Sequence, residues 1–112
     1  MSPITTHILD TASGSPAANV DVQLEIKDRD EWRMVGRGST DADGRCKGLM
    51  NEGTLRAGTY RISFDTSGYY QSLQQKCFYP EVRICFLVED SDQHYHVPLL
   101  LSPFGFSTYR GS

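Results

Sequence analysis

The chain has 112 residues, a length that suits one domain spanning 1–112 and able to bury about two-thirds of its unfolded surface without metal or disulfide staples. Its 11 basic and 14 acidic residues leave a formal charge of −3 and no basic patch, which argues against nucleic acid or an anionic membrane as partner. No apolar run approaches transmembrane length, and the start, Met1-Ser2-Pro3-Ile4, shows neither the basic nor the apolar region of a secretory signal, so a cytoplasmic location is expected.

Apolar residues recur with period two along much of the chain. Val20, Val22, Leu24 and Ile26 form one such series, Tyr60, Ile62 and Phe64 a second, and Val82, Ile84, Phe86 and Val88 a third. Each is the signature of a half-buried strand. Turn chemistry separates them, at Ser13-Gly14-Ser15-Pro16, Asp28-Arg29-Asp30-Glu31, Asp41-Ala42-Asp43-Gly44, Arg56-Ala57-Gly58 and Glu89-Asp90-Ser91-Asp92. The expected strands are 5–10, 20–27, 32–38, 46–50, 59–66, 81–89, 94–101 and 105–110, about eight in all, which means an all-β sandwich or barrel. Ser67–Gln75 breaks the alternation and places Tyr69, Tyr70 and Leu73 at helical spacing behind a serine cap, predicting one short helix. Pro98 lacks a ladder donor, so the seventh strand is expected to be interrupted or bulged there.

In that seventh strand His94 and His96 share one face, while Tyr95, Val97, Leu99 and Leu101 take the other, more apolar one. His96 is therefore expected to point away from the core together with Leu100, and His7 to do the same with Leu9. Leucines beside histidines on an outward face suggest cover by another subunit. Taken singly, each histidine reads as a satisfied surface or interface side chain. A His-x-His pair also raises metal binding, but zinc needs further ligands and no acidic residue stands at a diagnostic spacing. Cys46, Cys77 and Cys85 have no paired spacing either, and read as free thiols. Arg45, just after the Asp43-Gly44 turn signal, reads in isolation as a solvated loop residue, and Tyr109-Arg110-Gly111-Ser112 as an edge strand with a charged end. Yet an apolar run, an aromatic pair and a tyrosine reach almost to Ser112, which predicts an ordered terminus.

Three segments together, Thr6-His7-Ile8-Leu9-Asp10-Thr11, Thr40-Asp41-Ala42-Asp43-Gly44-Arg45 and the ending from His94 to the final Tyr-Arg-Gly-Ser, closely resemble the transthyretin-related proteins, specifically the 5-hydroxyisourate hydrolases of urate breakdown. The resemblance spans the chain, with Ile8 where valine and Phe106 where tyrosine is common. It implies a transthyretin-like two-sheet sandwich with one short helix, a homotetramer, and hydrolysis of a cyclic amide in the small-molecule substrate 5-hydroxyisourate without cofactor or metal. It further implies His7, Arg45 and His96 as catalytic residues. His7 and Arg45 would also bind substrate, along with Tyr109, Arg110, Gly111 and Ser112; Cys46 and Lys47 have no counterpart. A guanidinium suits such a task, since it offers a rigid fork of donors to a planar ureide or an oxyanion. The alternative is a non-catalytic carrier of an apolar ligand on the same fold, against which His7, Arg45, His96 and Tyr109 argue as a costly lining. A weaker one is an interaction module with incidental histidines.

Overall fold

The computed structural model describes residues 1–112. Nine strands, β1 (Ile4–Asp10), β2 (Ser15–Pro16), β3 (Asp21–Asp28), β4 (Glu31–Ser39), β5 (Arg45–Cys46), β6 (Gly58–Phe64), β7 (Val82–Val88), β8 (Tyr95–Ser102) and β9 (Gly105–Thr108), and one helix, α1 (Thr66–Ser72), make up the fold. The period-two series explain the two layers. Val22, Leu24 and Ile26 of β3, Tyr60, Ile62 and Phe64 of β6, and Val82 and Val88 of β7 turn inward from a sheet of order β4-β3-β6-β7. They meet Ile4 and Ile8 of β1 and Tyr95, Val97, Leu99 and Leu101 of β8 from the other sheet, β2-β1-β8-β9 with β5 also on β1. Each such side chain contributes roughly 1.5–3 kcal/mol on burial, so the shared cluster is the main force holding the sheets face to face.

The second sheet determines where everything functional lies. β1 pairs with β8 in parallel, from Ile4↔Tyr95 to Asp10↔Leu101, and its other edge receives β5 through Thr6↔Cys46 and His7↔Arg45. Helix α1 braces this sheet. The Tyr69 hydroxyl donates to buried Asp10 Oδ2 at 2.8 Å, while Asp10 Oδ1 accepts from the backbone nitrogens of Ala12 and Ser13.

Several boundaries differ from expectation. The helix is capped by Asp65, whose carboxylate accepts from Gly68 N at 3.0 Å, and not by Ser67, so Asp65 and Thr66 leave the fifth expected strand. The strand expected over 46–50 is reduced to Arg45–Cys46, because Gly48 turns the chain at φ +76° and Leu49 and Met50 reach the core from a loop. Ser15–Pro16, expected as turn, pairs briefly with β1. Strand β8 runs unbroken through Pro98. Its pairing with the C-terminal segment is what stops, at Leu99↔Thr108, and it resumes in the same register as the single bridge His96↔Gly111. The Pro98 carbonyl accepts from Thr108 Oγ1 on that same edge, so its missing donor falls in the gap and costs the β1 ladder nothing.

Candidate active site

Along β1 the buried positions are Ile4, Thr6, Ile8 and Asp10, which leaves Thr5, His7 and Leu9 half-buried on the outer face. Residues paired across neighbouring strands, about 4.8 Å apart, share a face. One row across the sheet therefore reads Arg45, His7 and Pro98. The next row holds Thr5, His96 and Gly111, and a third pairs Leu9 with Leu100. Thus His7, Arg45, His96 and Gly111 fall in adjacent rows of one face, while Tyr109, Arg110 and Ser112 lie outside the paired positions.

Arg45 is held by its loop. Asp41 Oδ1 accepts from the backbone nitrogens of Asp43 at 2.9 Å and Arg45 at 3.1 Å, and Asp41 N donates to the Arg45 carbonyl. The Arg45 amide holds the Asp41 carboxyl below the usual carboxylate range. Gly44 adopts φ +77° and its carbonyl accepts from Ile8 N at 2.8 Å; a Cβ there would come within 2.5 Å of the Ile8 carbonyl oxygen. The turn signal is legible in sequence, whereas the Asp41 carboxylate that ties the turn to Arg45 is visible only in the structure.

His96 is gripped from both sides. Its Nδ1 lies 2.8 Å from Thr5 Oγ1, and its Cδ2 edge faces Gly111, where a Cβ would approach to 2.6 Å. Its carbonyl accepts from Gly111 N at 2.8 Å. Burial lowers the His96 pKa first, followed by the Arg45 charge and the neighbouring imidazoles of His7 and His94, so the ring is poised to stay neutral near pH 7 and to accept a proton. The same Thr5 oxygen is 3.1 Å from His94 Nε2, and the two imidazoles lie nearly parallel with centroids 6.5 Å apart. Thr5 is a residue that sequence reasoning misses, its one signal being its place two positions before His7 on the same face of the strand.

An open cleft of about 790 Å3 lies at this end of the sheet. Thr5, Arg45, Lys47, His94, His96 and Ser112 line it, opposite the first residues of the chain and the segment around Met50. His7 lies in the row beside it and forms no part of its wall. Tyr109 and Arg110 border a separate cavity of about 230 Å3 near β7, which His96 also touches. Arg110 is engaged there, with its guanidinium 4.5 Å over the Tyr95 ring and Nη2 donating to Gln93 Oε1 at 2.8 Å. The tetrapeptide is therefore divided, with Ser112 in the cleft, Gly111 against His96, and Arg110 clamped toward the sandwich edge. No group of three histidine, cysteine or acidic side chains is assembled that would hold a metal ion.

Comparison with known proteins places this geometry in context. A sequence profile described as the HIUase/Transthyretin family matches residues 4–111. The 5-hydroxyisourate hydrolase of Mus musculus is 43% identical over 113 aligned positions, which cover 99% of this chain and 96% of that protein. Among solved structures, the 5-hydroxyisourate hydrolase of Klebsiella pneumoniae superposes with a TM-score of 0.84 at 32% identity, covering 97% of this chain and 98% of the other. Sea bream transthyretin, solved in complex with thyroxine, superposes with a TM-score of 0.92 at 33% identity over 98% of this chain and 95% of the other. The backbone is thus common to a hydrolase and to a thyroxine complex, and discrimination rests on the side chains of the outer face.

Proposed function

This chain belongs to the HIUase/transthyretin family, and from that premise we propose that it hydrolyses 5-hydroxyisourate, opening the six-membered ring at a cyclic amide to give the ureidoimidazoline acid. The observation that carries the reading is that Arg45 and His96 line one cleft while His7, paired with Arg45, lies in the row beside it. Neutral His96, with His7 beside it, activates a water for attack on the lactam carbonyl, a contribution of about 10²–10⁴-fold. Arg45 polarises that carbonyl and stabilises the oxyanion, which is worth about 10²–10³-fold for a single well-aimed donor. Ser112 lines the cleft, Gly111 packs against His96, Tyr109 borders the neighbouring cavity that His96 also touches, and Arg110 anchors the tail through Tyr95 and Gln93. No cofactor enters this chemistry, because the carbonyl is already activated and only proton transfers are required. The test is loss of the absorbance of freshly generated 5-hydroxyisourate. A folded protein that leaves the uncatalysed decay unchanged refutes the reading.

The quaternary reading is a homotetramer. Leu9 and Leu100 are paired on the outer face next to the polar rows, and an apolar strip around a functional cluster is best covered by a second copy laid face to face. Light scattering that finds an active monomer at assay concentration excludes it. No helix is long and apolar enough to cross a membrane, and three free thiols support a cytoplasmic setting.

The second reading is a small-ligand carrier, favoured by the higher TM-score with the sea bream protein. Against it, a pocket for an apolar hormone must leave the polar groups of Thr5, Arg45, Lys47 and His96 without water. Thyroxine binding by equilibrium dialysis, without turnover of 5-hydroxyisourate, is the result that establishes the carrier.

A further inference from the structure

We infer that the Thr5 hydroxyl couples His96 to His94, holding His96 with its proton on Nδ1 and Nε2 bare toward the cleft, and passing a proton onward to exposed His94 during turnover. The inference rests on the hydrolytic reading above for its consequence, though not for its geometry. Thr5 Oγ1 lies 2.8 Å from His96 Nδ1 and 3.1 Å from His94 Nε2. A hydroxyl has one proton and two lone pairs, so a chain of two bonds through it must run in one direction. Either His96 Nδ1–H donates to Thr5 and Thr5 donates to His94, or the reverse.

The surroundings choose between them. In the imidazole ring Nδ1 and Cδ2 flank the stem, and here Thr5 occupies the first side and Gly111 the second, so Nε2 lies at the outer end. Of the charged and titratable groups nearby, Arg45, His7 and His94 act on the His96 ring, while Lys47 and Glu52 line the same cleft, Glu52 3.5 Å from the N-terminal ammonium. With the Arg45 guanidinium lining the same cleft as the ring, a lone pair on Nε2 is favoured over an N–H. His94 is exposed, so its own Nδ1–H finds water at no cost. The direction His96 to Thr5 to His94 satisfies each group.

The chemistry has a use for such a path. Opening a cyclic amide with water forms a C–O bond and breaks a C–N bond; one water proton goes to the departing nitrogen. The carboxylic acid formed ionises at neutral pH, so one proton is released per turnover. When His96 Nε2 takes the proton of the attacking water, its Nδ1 proton can move to Thr5 while the Thr5 proton moves to His94 Nε2. As Nε2–H then protonates the departing nitrogen, the path runs back from His94 Nε2 through Thr5 to His96 Nδ1, which restores all three groups, and the carboxylic proton of the product is the one that leaves to solvent. Thr5 is in this sense a positioning residue, acting through His96.

The experiment combines nitrogen-15 NMR of the imidazoles with kinetics on wild type, Thr5→Val, Thr5→Ser and His94→Phe. In wild type above its titration, His96 is expected to show a protonated Nδ1 and a bare Nε2. Thr5→Val should shift it toward the Nε2–H form that free histidine prefers and lower kcat by up to about 10²-fold, the scale of misplacing a catalytic group by about 1 Å, with KM little changed. Thr5→Ser should restore both tautomer and kcat. His94→Phe should keep the fold but turn over slowly in dilute buffer and recover as imidazole buffer is added. A Thr5→Val protein with the wild-type tautomer and kcat, or a serine variant that rescues neither, overturns the coupling; a His94→Phe rate at the wild-type level in dilute buffer overturns the relay. The NMR reading needs no substrate, so the expected tautomers in a protein that never consumes 5-hydroxyisourate would refute the assigned reaction and leave the coupling standing.

Discussion

Gly111 is pressed against His96: its amide donates to the His96 carbonyl at 2.8 Å, and a Cβ at position 111 would sit 2.6 Å from His96 Cδ2. Only a residue without a side chain allows the terminal segment to lie there while the ring keeps its contact with Thr5. Gly111→Ala must therefore rotate the imidazole or lift the tail. We expect kcat to fall by up to about 10²-fold, the scale of a misplacement of about 1 Å in a catalytic group, with the circular dichroism spectrum unchanged. Deleting Gly111 and Ser112 should reduce kcat comparably.

Direct removal of the bases is the stronger perturbation. His96→Ala and His7→Ala are each expected to reduce the chemical rate by about 10²–10⁴-fold without unfolding the sandwich, since both rings lie outside the core cluster. Single-turnover measurement on folded variants checks this; a His96→Ala enzyme of full activity excludes the proposed chemistry.

The pH dependence follows from the depressed pKa of His96. The neutral form is the active one, so it persists to lower pH than an ordinary histidine, and the acid limb of kcat/KM should lie below 6.5. Arg45→Gln removes a repelling charge and should move that limb upward as well as lowering the plateau. The same depression has a stability consequence. Between the folded pKa and 6.5 the unfolded chain binds more protons, so His96 withdraws stability as pH falls through 6.5, and the loss stops growing below its folded pKa. Thermal melts across that window on wild type and a His96→Gln variant test the sign.

His94 Nε2 and His96 Nδ1 are both turned onto Thr5, and no third histidine, cysteine or carboxylate joins the two rings to complete a metal site. Dialysis against a strong chelator is expected to leave rate and melting temperature unchanged. Activity that is lost and then restored by zinc would make these histidines ligands.

Much of this protein is legible from local pattern. Alternation alone assigns Val22, Leu24 and Ile26, or Tyr95, Val97, Leu99 and Leu101, to an inner face, because a strand's period of two is a property of neighbouring residues. By the same logic His7 and His96 are outward-facing before any fold is known, and the resemblance carried by His7, Arg45 and the terminal tetrapeptide names the chemistry. What alternation cannot encode is which strand lies beside which. The parallel pairing of β1 with β8 brings Thr5 against His96 across 91 residues and has no turn chemistry to announce it; it is decided by the burial of Ile4, Ile8, Leu99 and Leu101 in one core. From that pairing come the role of Thr5, the harmless passage of Pro98 through β8, and the division of the tetrapeptide between a cleft and the sandwich edge. The helix cap shows the same limit on a smaller scale, since Ser67 and Asp65 are both competent caps and the choice of Asp65 follows from where β6 releases the chain.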